Sequence, residues 1–464
     1  MEETSGEYHD SLNHKHFTCQ EEGRMRRSMI KDMEERLQQG LETAKHFGAS
    51  EAKLAFHHAE SLDCKFEAGR LKDTGGREAF SYSVEVLVGG RMGNTSGNRL
   101  KDLDAMVERA VTLAKVGSIA HFKAYPTPEE VQVVKTHSDR TLHLSREKMV
   151  ESCQQMADAL KAYDADLYIE CSAKRIESET VLVTSGGVCH MNTRTHWRLA
   201  GSVQRTVDTD MLFAGYSRGW CDLNAFYDPG GIADKIITDL RRAETTIESP
   251  VGKVTVYLPP ETLAGMLWPI FMGTNGRNVA KGDSPLADRL NLEVLAPNIS
   301  IVDDPHVDYA SGARAIDNNG IPTRKLTIFE NGTLKCFLYD LDSAGLAGAE
   351  PTGNNGCVPY WPRLLPGERQ STELLAEIAD GLYVCDLIGF GQSNIINGDF
   401  SGNIGLGYRI KNGEIVGRVK NTMIAGNLYD ILKRSVILSS DTEHEGRYPH
   451  AVLDGVSVSV GSRV

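Results

Sequence analysis

Acidic and polar side chains stand together at two places in the second half of the chain. Asp303 and Asp304 lie side by side before Pro305, and Asp317 follows them downstream. Aspartate side chains bond nearby backbone N–H groups and proline fixes the next φ, so this pattern favours a turn. A direct functional role in a cleft is the alternative interpretation for these carboxylates.

A second polar group follows the Asn397-Gly398 step. Asp399 and Ser401 come directly after it, in the order Asn-Gly-Asp-Phe-Ser. Short polar side chains at such a step either cap the turn or line a cleft. Asn397, Asp399 and Ser401 are therefore candidate cleft-lining residues, together with Asp303, Asp304 and Asp317.

The histidines give no convincing metal site. His444 and His450 flank Glu445 in a pattern like a zinc box, but the glycine and proline between them predict a loop. His57 and His58 are neighbours at the end of a predicted strand, where side chains alternate between faces. His14 and His16 lie in a polar tail, which predicts a solvated segment.

No motif for a nucleophile or a phosphate site is present either. The chain has no G-x-S-x-G elbow, and the glycine-rich stretch Gly89–Gly93 lacks the Lys-Ser/Thr ending of a phosphate loop.

Composition points to a cytoplasmic protein that does not bind nucleic acid directly. The net charge of −13 over 464 residues argues against a phosphate-tracking surface. Nine dispersed cysteines without a C-x-x-C pair are typical of reduced thiols in the cytosol. The N-terminus lacks the apolar run of a signal peptide. The longest nearly apolar run of the chain, Leu263–Met272, is too short to span a bilayer.

The first half of the chain has an α+β pattern. Residues 1–27 lack hydrophobic periodicity and are predicted to form a disordered or loosely attached arm. A helix is predicted from Ser28, strands over Ala52–His58 and Ser81–Val88, and a hairpin at Ser185–Gly187. Ser249-Pro250 is a plausible boundary. The sequence thus predicts an N-terminal α+β domain over residues 28–248.

The second half is richer in turns. Asn-Gly occurs six times and favours hairpins because both turn residues accept positive φ; Asn331-Gly332 and Asn412-Gly413 each lie between β-like runs. One helix is predicted over Thr372–Asp380, capped by Ser371 and closed by Gly381. A mostly β C-terminal domain over residues 249–464 follows.

Five motifs follow one another in the second half of the chain: VTVYLPPETLAGMLWPIFM (Val254–Met272), SIVDDP (Ser300–Pro305), AIDNNGIPTR (Ala315–Arg324), NGDFSG (Asn397–Gly402) and MIAGNL (Met423–Leu428). This collinear set resembles the TldD/PmbA metallopeptidase family, whose members are described as modulators of DNA gyrase. Each motif alone is weak, but their order is specific, and the likeness spans roughly residues 30–460. The resemblance implies a TldD/PmbA-like fold.

The catalytic type in this family resembles a zinc peptidase with an H-E-x-x-x-H box on a helix. When this chain is placed in register with the catalytic members across Leu258–Val294, the six positions of the box are occupied by Leu267-Trp268-Pro269-Ile270-Phe271-Met272. Leucine and methionine offer Zn²⁺ no suitable ligand. The chain therefore resembles the PmbA (TldE) type, with zinc expected only in a catalytic partner and no catalytic or metal residues of its own.

The resemblance implies a subunit of a cytosolic metallopeptidase system that processes unfolded peptides. It would form a homodimer, or a heteromer with a TldD-like zinc-bearing chain, without contacting membrane. A stand-alone homodimeric peptide-binding or regulatory protein is the main alternative. A peptidase with an unrecognised metal site is the third hypothesis.

Overall fold

The computed structural model describes residues 19–224, 226–434, 436–443 and 445–461. The fold is α+β, with a large antiparallel sheet and its helices first and a β-rich part after it. The elements up to residue 242 are α1 (Cys19–His46), β1 (Glu51–Glu67), β2 (Arg70–Val88), β3 (Arg91–Gly97), α2 (Leu103–Ala114), α3 (Asp139–Leu142), α4 (Arg146–Tyr163), β4 (Tyr168–Thr184), β5 (Cys189–Val207), β6 (Asp210–Trp220) and α5 (Pro229–Arg242).

The first sheet has six antiparallel strands in the order β3-β2-β1-β4-β5-β6. Its strands are longer than the predicted Ala52–His58 and Ser81–Val88, because polar residues continue the pairing beyond the apolar runs. The predicted hairpin at Ser185–Gly187 is confirmed, since it joins β4 to β5. Helix α1 begins at Cys19 and not at Ser28, so residues 19–27 of the predicted arm are helical, and its residues 1–18 lie outside the described residues. The glutamates and arginines between Cys19 and Ser28 have high helix propensity, so the helix extends over them although no apolar stripe marks it in the sequence.

The helices pack on one face of this sheet. Side chains alternate along a strand, so Leu54, Phe56, Cys64 and Phe66 of β1 share a face. The first two belong to an apolar core with α1 and α2, and the last two to a core with α4 and α5. The β6 end of the sheet thereby stands beside α5, where the cavity described below opens.

The elements after residue 250 are β7 (Gly252–Leu258), α6 (Pro260–Met266), α7 (Trp268–Gly273), α8 (Gly276–Lys281), β8 (Ile301–Asp303), β9 (Leu326–Glu330), β10 (Thr333–Leu334), α9 (Leu341–Ala347), β11 (Pro362–Leu364), α10 (Ser371–Ala376), β12 (Asp380–Ile388), β13 (Asp399–Lys411), β14 (Glu414–Arg418), β15 (Thr422–Asn427), α11 (Leu428–Arg434), β16 (Val436–Glu443) and β17 (Tyr448–Val460). Strands β7, β17, β15, β13 and β12 pair in a closed ring, and β10-β9-β8-β11 form a separate sheet.

The Asn-Gly turns behave as their local chemistry predicts. Asn331-Gly332 joins β9 to β10 and Asn412-Gly413 joins β13 to β14, with positive φ at both residues of each turn. The predicted helix over Thr372–Asp380 is too long, since α10 ends at Ala376. Asp380 instead begins β12 and pairs with Lys411 of β13, so sheet pairing wins over helix propensity there.

The two parts of the chain share an apolar core. Tyr257 of β7, Tyr383 of β12 and Tyr408 of β13 pack with buried residues of α4 and α5. The Tyr408 hydroxyl donates a hydrogen bond of 2.8 Å to the backbone carbonyl of Asp239 in α5. Shared burial of this kind fixes the β-rich part against the sheet that precedes it.

Within the described ranges, the structure contains no helix with the length and apolar character needed to cross a membrane.

Candidate functional site

The segment aligned with the zinc box forms the junction of two short helices. Helix α6 ends at Met266 and α7 begins at Trp268, with Pro269 in the first turn of α7, where its missing N–H is tolerated. Leu267 and Ile270 are buried in the apolar core, whereas Trp268 is half-exposed. The segment packs as structural core.

The side chains at the box positions do not fit a zinc ion. Leu267 offers only carbon, the indole N–H of Trp268 is a donor, and Met272 offers a thioether. Zinc in peptidases takes imidazole nitrogen and carboxylate oxygen. Two of the backbone carbonyls here already accept hydrogen bonds, Met272 from Asn278 at 2.9 Å and Gly273 from Ser284 at 2.6 Å.

Tyr429 holds α7 in place. Its hydroxyl donates a hydrogen bond of 3.2 Å to the carbonyl oxygen of Pro269. A methyl group added at Gly273 would overlap that hydroxyl, and one at Gly398 would overlap the Tyr429 ring. Two glycines from distant parts of the chain thus make room for one tyrosine.

The residues of the segment Asn397–Ser401 lie beside Tyr429 and α7. Asn427 donates hydrogen bonds from Nδ2 to the carbonyl of Asn397 at 2.8 Å and to Oδ1 of Asp399 at 2.9 Å. Ser401 Oγ lies 3.1 Å from Ser393 Oγ. The turn containing Asn397 packs against α7. The structure therefore brings this predicted group next to the degenerate box, in turn-forming contacts.

Asp303 is a buried structural carboxylate. Its Oδ2 accepts from Asn354 Nδ2 at 2.9 Å and from the Tyr360 N–H at 3.1 Å, while its Oδ1 accepts from the Trp361 N–H at 2.6 Å. Burial raises the pKa of the Asp303 carboxyl, and these donors oppose the rise. Oδ2 of Asp304 lies 3.6 Å from Nζ of Lys325.

Asp317 organises its own loop. Its Oδ1 accepts the N–H groups of Asn319 at 2.8 Å and Ile321 at 2.9 Å. No hydrogen bond recorded among the described side chains joins Asp317 or Asp303 to the Asn397 group. The six candidate residues therefore form separate local networks.

The histidines are engaged elsewhere. His57 Nδ1 lies 3.2 Å from Thr180, whereas His58 contacts Glu78 at 3.0 Å and Glu179 at 3.3 Å, as expected for opposite faces. His450 lies in β17, whose hairpin from β16 matches the predicted non-helical segment. His14, His16 and His444 lie outside the described residues.

Across the part of the chain that the structure describes, no three His, Cys, Asp or Glu side chains come close enough to hold one metal ion.

A cavity of about 740 Å³ opens where the first sheet meets the β-rich part. It is bounded by β4, β5, β6 and α5 on one side and by α6, β12 and β13 on the other. Gly265 and Met266, the residues just before the box, belong to its wall. The polar and charged residues that line it include Glu170, Gln204, Tyr216, Lys235, Asp239, Glu261, Cys385 and Asp386.

Burial perturbs several of these groups. It raises the pKa of the Asp239 carboxyl, against the opposing charges of Lys235 and Arg242. Burial likewise raises the pKa of the Cys385 thiol, which keeps it protonated and poorly nucleophilic at neutral pH.

The sequence alone does not reveal this cavity, because its walls come from seven separate stretches of chain. One feature of the sequence could have pointed to the cavity. Asp239 lies on the apolar stripe of α5 with Ile232, Ile236 and Leu240. A carboxylate on such a stripe is uncommon unless it is paired or functional.

The sequence matches two models of metallopeptidase domains. The PmbA/TldA metallopeptidase C-terminal domain matches residues 251–460, and PmbA/TldA metallopeptidase domain 1 matches residues 52–114. A metalloprotease PmbA homolog of Haemophilus influenzae is 25% identical over 468 residues, covering 93% of this chain and 98% of that protein.

Two solved structures share this fold over most of the chain. A candidate modulator of DNA gyrase from Bacteroides thetaiotaomicron superposes with a TM-score of 0.84 at 22% identity, covering 92% of this chain and 98% of that one. TldE from Thermococcus kodakarensis gives a TM-score of 0.83 at 20% identity, covering 91% and 100%. The fold and these matches define a metalloprotease-like protein. The chain belongs to the PmbA/TldD family.

Proposed function

We propose that this chain is the PmbA/TldE-like subunit of a cytoplasmic peptidase that processes unfolded peptides, and that it does not itself carry the catalytic zinc. The observation that carries this proposal is the filling of the zinc-box positions by Leu267, Trp268 and Met272. Leu267 is buried in the apolar core and offers no atom that could bind a metal ion. A zinc-bearing TldD-like partner would supply the hydrolytic chemistry.

The contribution of this chain would be to hold the peptide. Strand β6 is the last strand of its sheet, and among the described strands it pairs only with β5. Residues Phe213–Tyr216 of this strand line the cavity. An extended peptide added to a free sheet edge is bound through its backbone, so affinity tolerates different sequences. This arrangement suits unfolded substrates.

Co-expression with a sibling chain that carries the His-Glu box tests the proposal. The two chains should co-purify, and the mixture should cleave an unstructured peptide while neither chain alone does so. Chelator should abolish cleavage, and added zinc should restore it. A matched control replaces the box glutamate of the sibling by glutamine, which should keep the complex and remove activity.

Two other results would redirect the assignment. Peptide binding by this chain alone, with no complex and no cleavage on mixing, would favour a stand-alone homodimeric peptide-binding protein. Chelator-sensitive cleavage by this chain alone would overturn the proposal.

A further inference from the structure

Five of the six Asn-Gly steps in the chain share a hydrogen bond that the sixth lacks. Asn-Gly is prone to spontaneous deamidation, because a glycine without Cβ leaves its backbone nitrogen open to attack the asparagine side chain. An acceptor on that N–H slows the attack, since the bond must break first. The five bonds, to backbone carbonyls at 2.8–3.3 Å, run from Gly276 to Leu338, Gly320 to Asp317, Gly332 to Ile299, Gly398 to Ile395 and Gly413 to Ile378.

The sixth step, Asn355-Gly356, has both reacting groups free. Among the described residues, the N–H of Gly356 reaches no acceptor, and Gly356 is exposed. Within the same part of the chain, the Asn355 side chain makes no hydrogen bond; only its backbone N–H is engaged, by the Tyr360 hydroxyl at 2.7 Å. The nitrogen that attacks and the amide that is attacked are thus unprotected only at this step.

The backbone around this step is strained. Gly356 has a φ of 69° and Cys357 a φ of 58°, so two successive residues lie in the left-handed region. A residue with a Cβ is disfavoured there and persists only where its surroundings hold it. Asn275 contributes to this hold, because its Nδ2 donates to the carbonyl of Gly356 at 3.1 Å. A change that lengthened the main chain here would relieve the strain.

We propose that Asn355 is a deamidation site of the folded chain and reacts ahead of the other five steps. The Gly356 backbone nitrogen loses its proton to base and attacks Cγ of Asn355. A C–N bond forms, and the side-chain amide takes up a proton and leaves as ammonia. Water then adds to either carbonyl of the resulting succinimide and opens it to aspartate or to isoaspartate. The modification is independent of the peptidase role proposed above.

Isoaspartate at this position would disturb a packed turn, because its main chain is one carbon longer. The residues on either side are buried and bonded. Asn354 donates from Nδ2 to Oδ2 of Asp303 at 2.9 Å, and Cys357 Sγ lies 3.0 Å from Ser343 Oγ. A longer link between residues 355 and 356 moves these neighbours apart, and buried polar groups that lose their partners lower stability.

Timed peptide mapping of the purified full-length chain tests the proposal. The folded chain is incubated at mildly alkaline pH and digested, and chromatography with mass spectrometry separates the asparagine, aspartate and isoaspartate forms of each Asn-Gly peptide. We expect Asn355 to react at least about tenfold faster than the other five asparagines, whose glycine N–H must first break a backbone hydrogen bond. In guanidinium chloride, where no step is protected, all six should react at similar rates.

Asn397 and Asn412 provide the matched comparison. Both are exposed, whereas Asn355 is half-buried, so exposure alone would make them react first. Their glycines differ from Gly356 in donating to a carbonyl. Reaction at either residue as fast as at Asn355 in the folded chain would overturn the proposal, and so would equal rates at all six steps.

The variant Asn355→Gln separates the modification from its effect on stability. Glutamine would have to close a larger ring, so the fast reaction should disappear while the other five rates stay unchanged. A misfolded variant would instead show faster reaction at those five steps. After incubation, the unsubstituted chain should contain a fraction that unfolds at lower urea concentration, and the variant should not. Conversion of Asn355 to isoaspartate without such a fraction would contradict the predicted disturbance of the turn.

Discussion

The Tyr429 hydroxyl lies 3.2 Å from the carbonyl oxygen of Pro269 and donates a hydrogen bond to it. Pro269 stands inside the segment aligned with the zinc box, and Tyr429 follows the Met423–Leu428 motif near the other end of the β-rich part. The bond ties α11 to α7. The segment at the zinc-box positions therefore includes a short helix that Tyr429 holds in place.

Substituting Gly273 tests this clamp. A methyl group there would overlap the Tyr429 hydroxyl, so Gly273→Ala should lower the free energy of unfolding by about 1–3 kcal/mol, as overpacking does in tight cores. Urea unfolding followed by circular dichroism measures the loss. Gly265→Ala is the matched control, because open space surrounds that helical position, and it should be neutral or stabilising.

The clamp also predicts coupling between the two residues. Tyr429→Phe removes the overlapping oxygen. The double variant with Gly273→Ala should therefore lose less unfolding free energy than the two single variants lose together. Strict additivity would show that the tyrosine does not confine α7.

Leu267 should behave as a core residue. Leu267→Ala deletes a fully buried side chain and is expected to cost about 2–5 kcal/mol of unfolding free energy. The same substitution at Leu113, a partly exposed position of α2, should cost under about 1 kcal/mol. Chemical denaturation of both variants makes the comparison. Equally small losses of unfolding free energy in the two variants would mean that Leu267 is not a core residue.

An ion pair joins β6 to β14 and should make stability depend on pH. Arg418 is buried and donates from Nη1 to Asp210 at 3.1 Å, and Lys420 lies 2.9 Å from the same carboxylate. Burial alone would raise the pKa of the Asp210 carboxyl, but Lys420 and Arg418 together lower it below its usual value. A carboxyl whose pKa is lowered in the folded state contributes stability above its unfolded-state pKa, which is about 3.9.

That contribution should disappear as pH falls through the folded-state pKa of Asp210. Asp210→Asn should therefore lose about 1–3 kcal/mol at pH 7, less than a fully buried pair because Asp210 is a third exposed. The difference from the unsubstituted chain should shrink below pH 4. Glu151→Gln, in an exposed pair with Lys148, should show no measurable loss at either pH. A loss that stays constant down to pH 3 would contradict this interpretation.

Local chemistry accounts for what the sequence predicted correctly. The hairpins at Asn331-Gly332 and Asn412-Gly413 depend on positive φ at two adjacent residues, which those residue types favour wherever they stand. The start of β12 at Asp380 depends on pairing with β7 and β13, so residue propensities misassigned it to a helix.

The candidate site was less predictable for the same reason. Asp303 and Asp317 were visible as motif carboxylates, yet burial and backbone donors make them loop organisers. Asp239 and Glu261 line the same cavity only because the fold places α5 and α6 at the junction of the two parts. That juxtaposition is a property of the tertiary fold and leaves no spacing in the sequence.

We propose that this chain supports proteolysis without carrying the metal. Zinc content of the purified chain, measured by plasma mass spectrometry on the same sample assayed for cleavage of an unstructured peptide, tests it most directly. We predict substoichiometric zinc and no cleavage by the chain alone, with cleavage appearing once a partner bearing the His-Glu box is added. Stoichiometric zinc with chelator-sensitive cleavage by this chain alone would contradict the account.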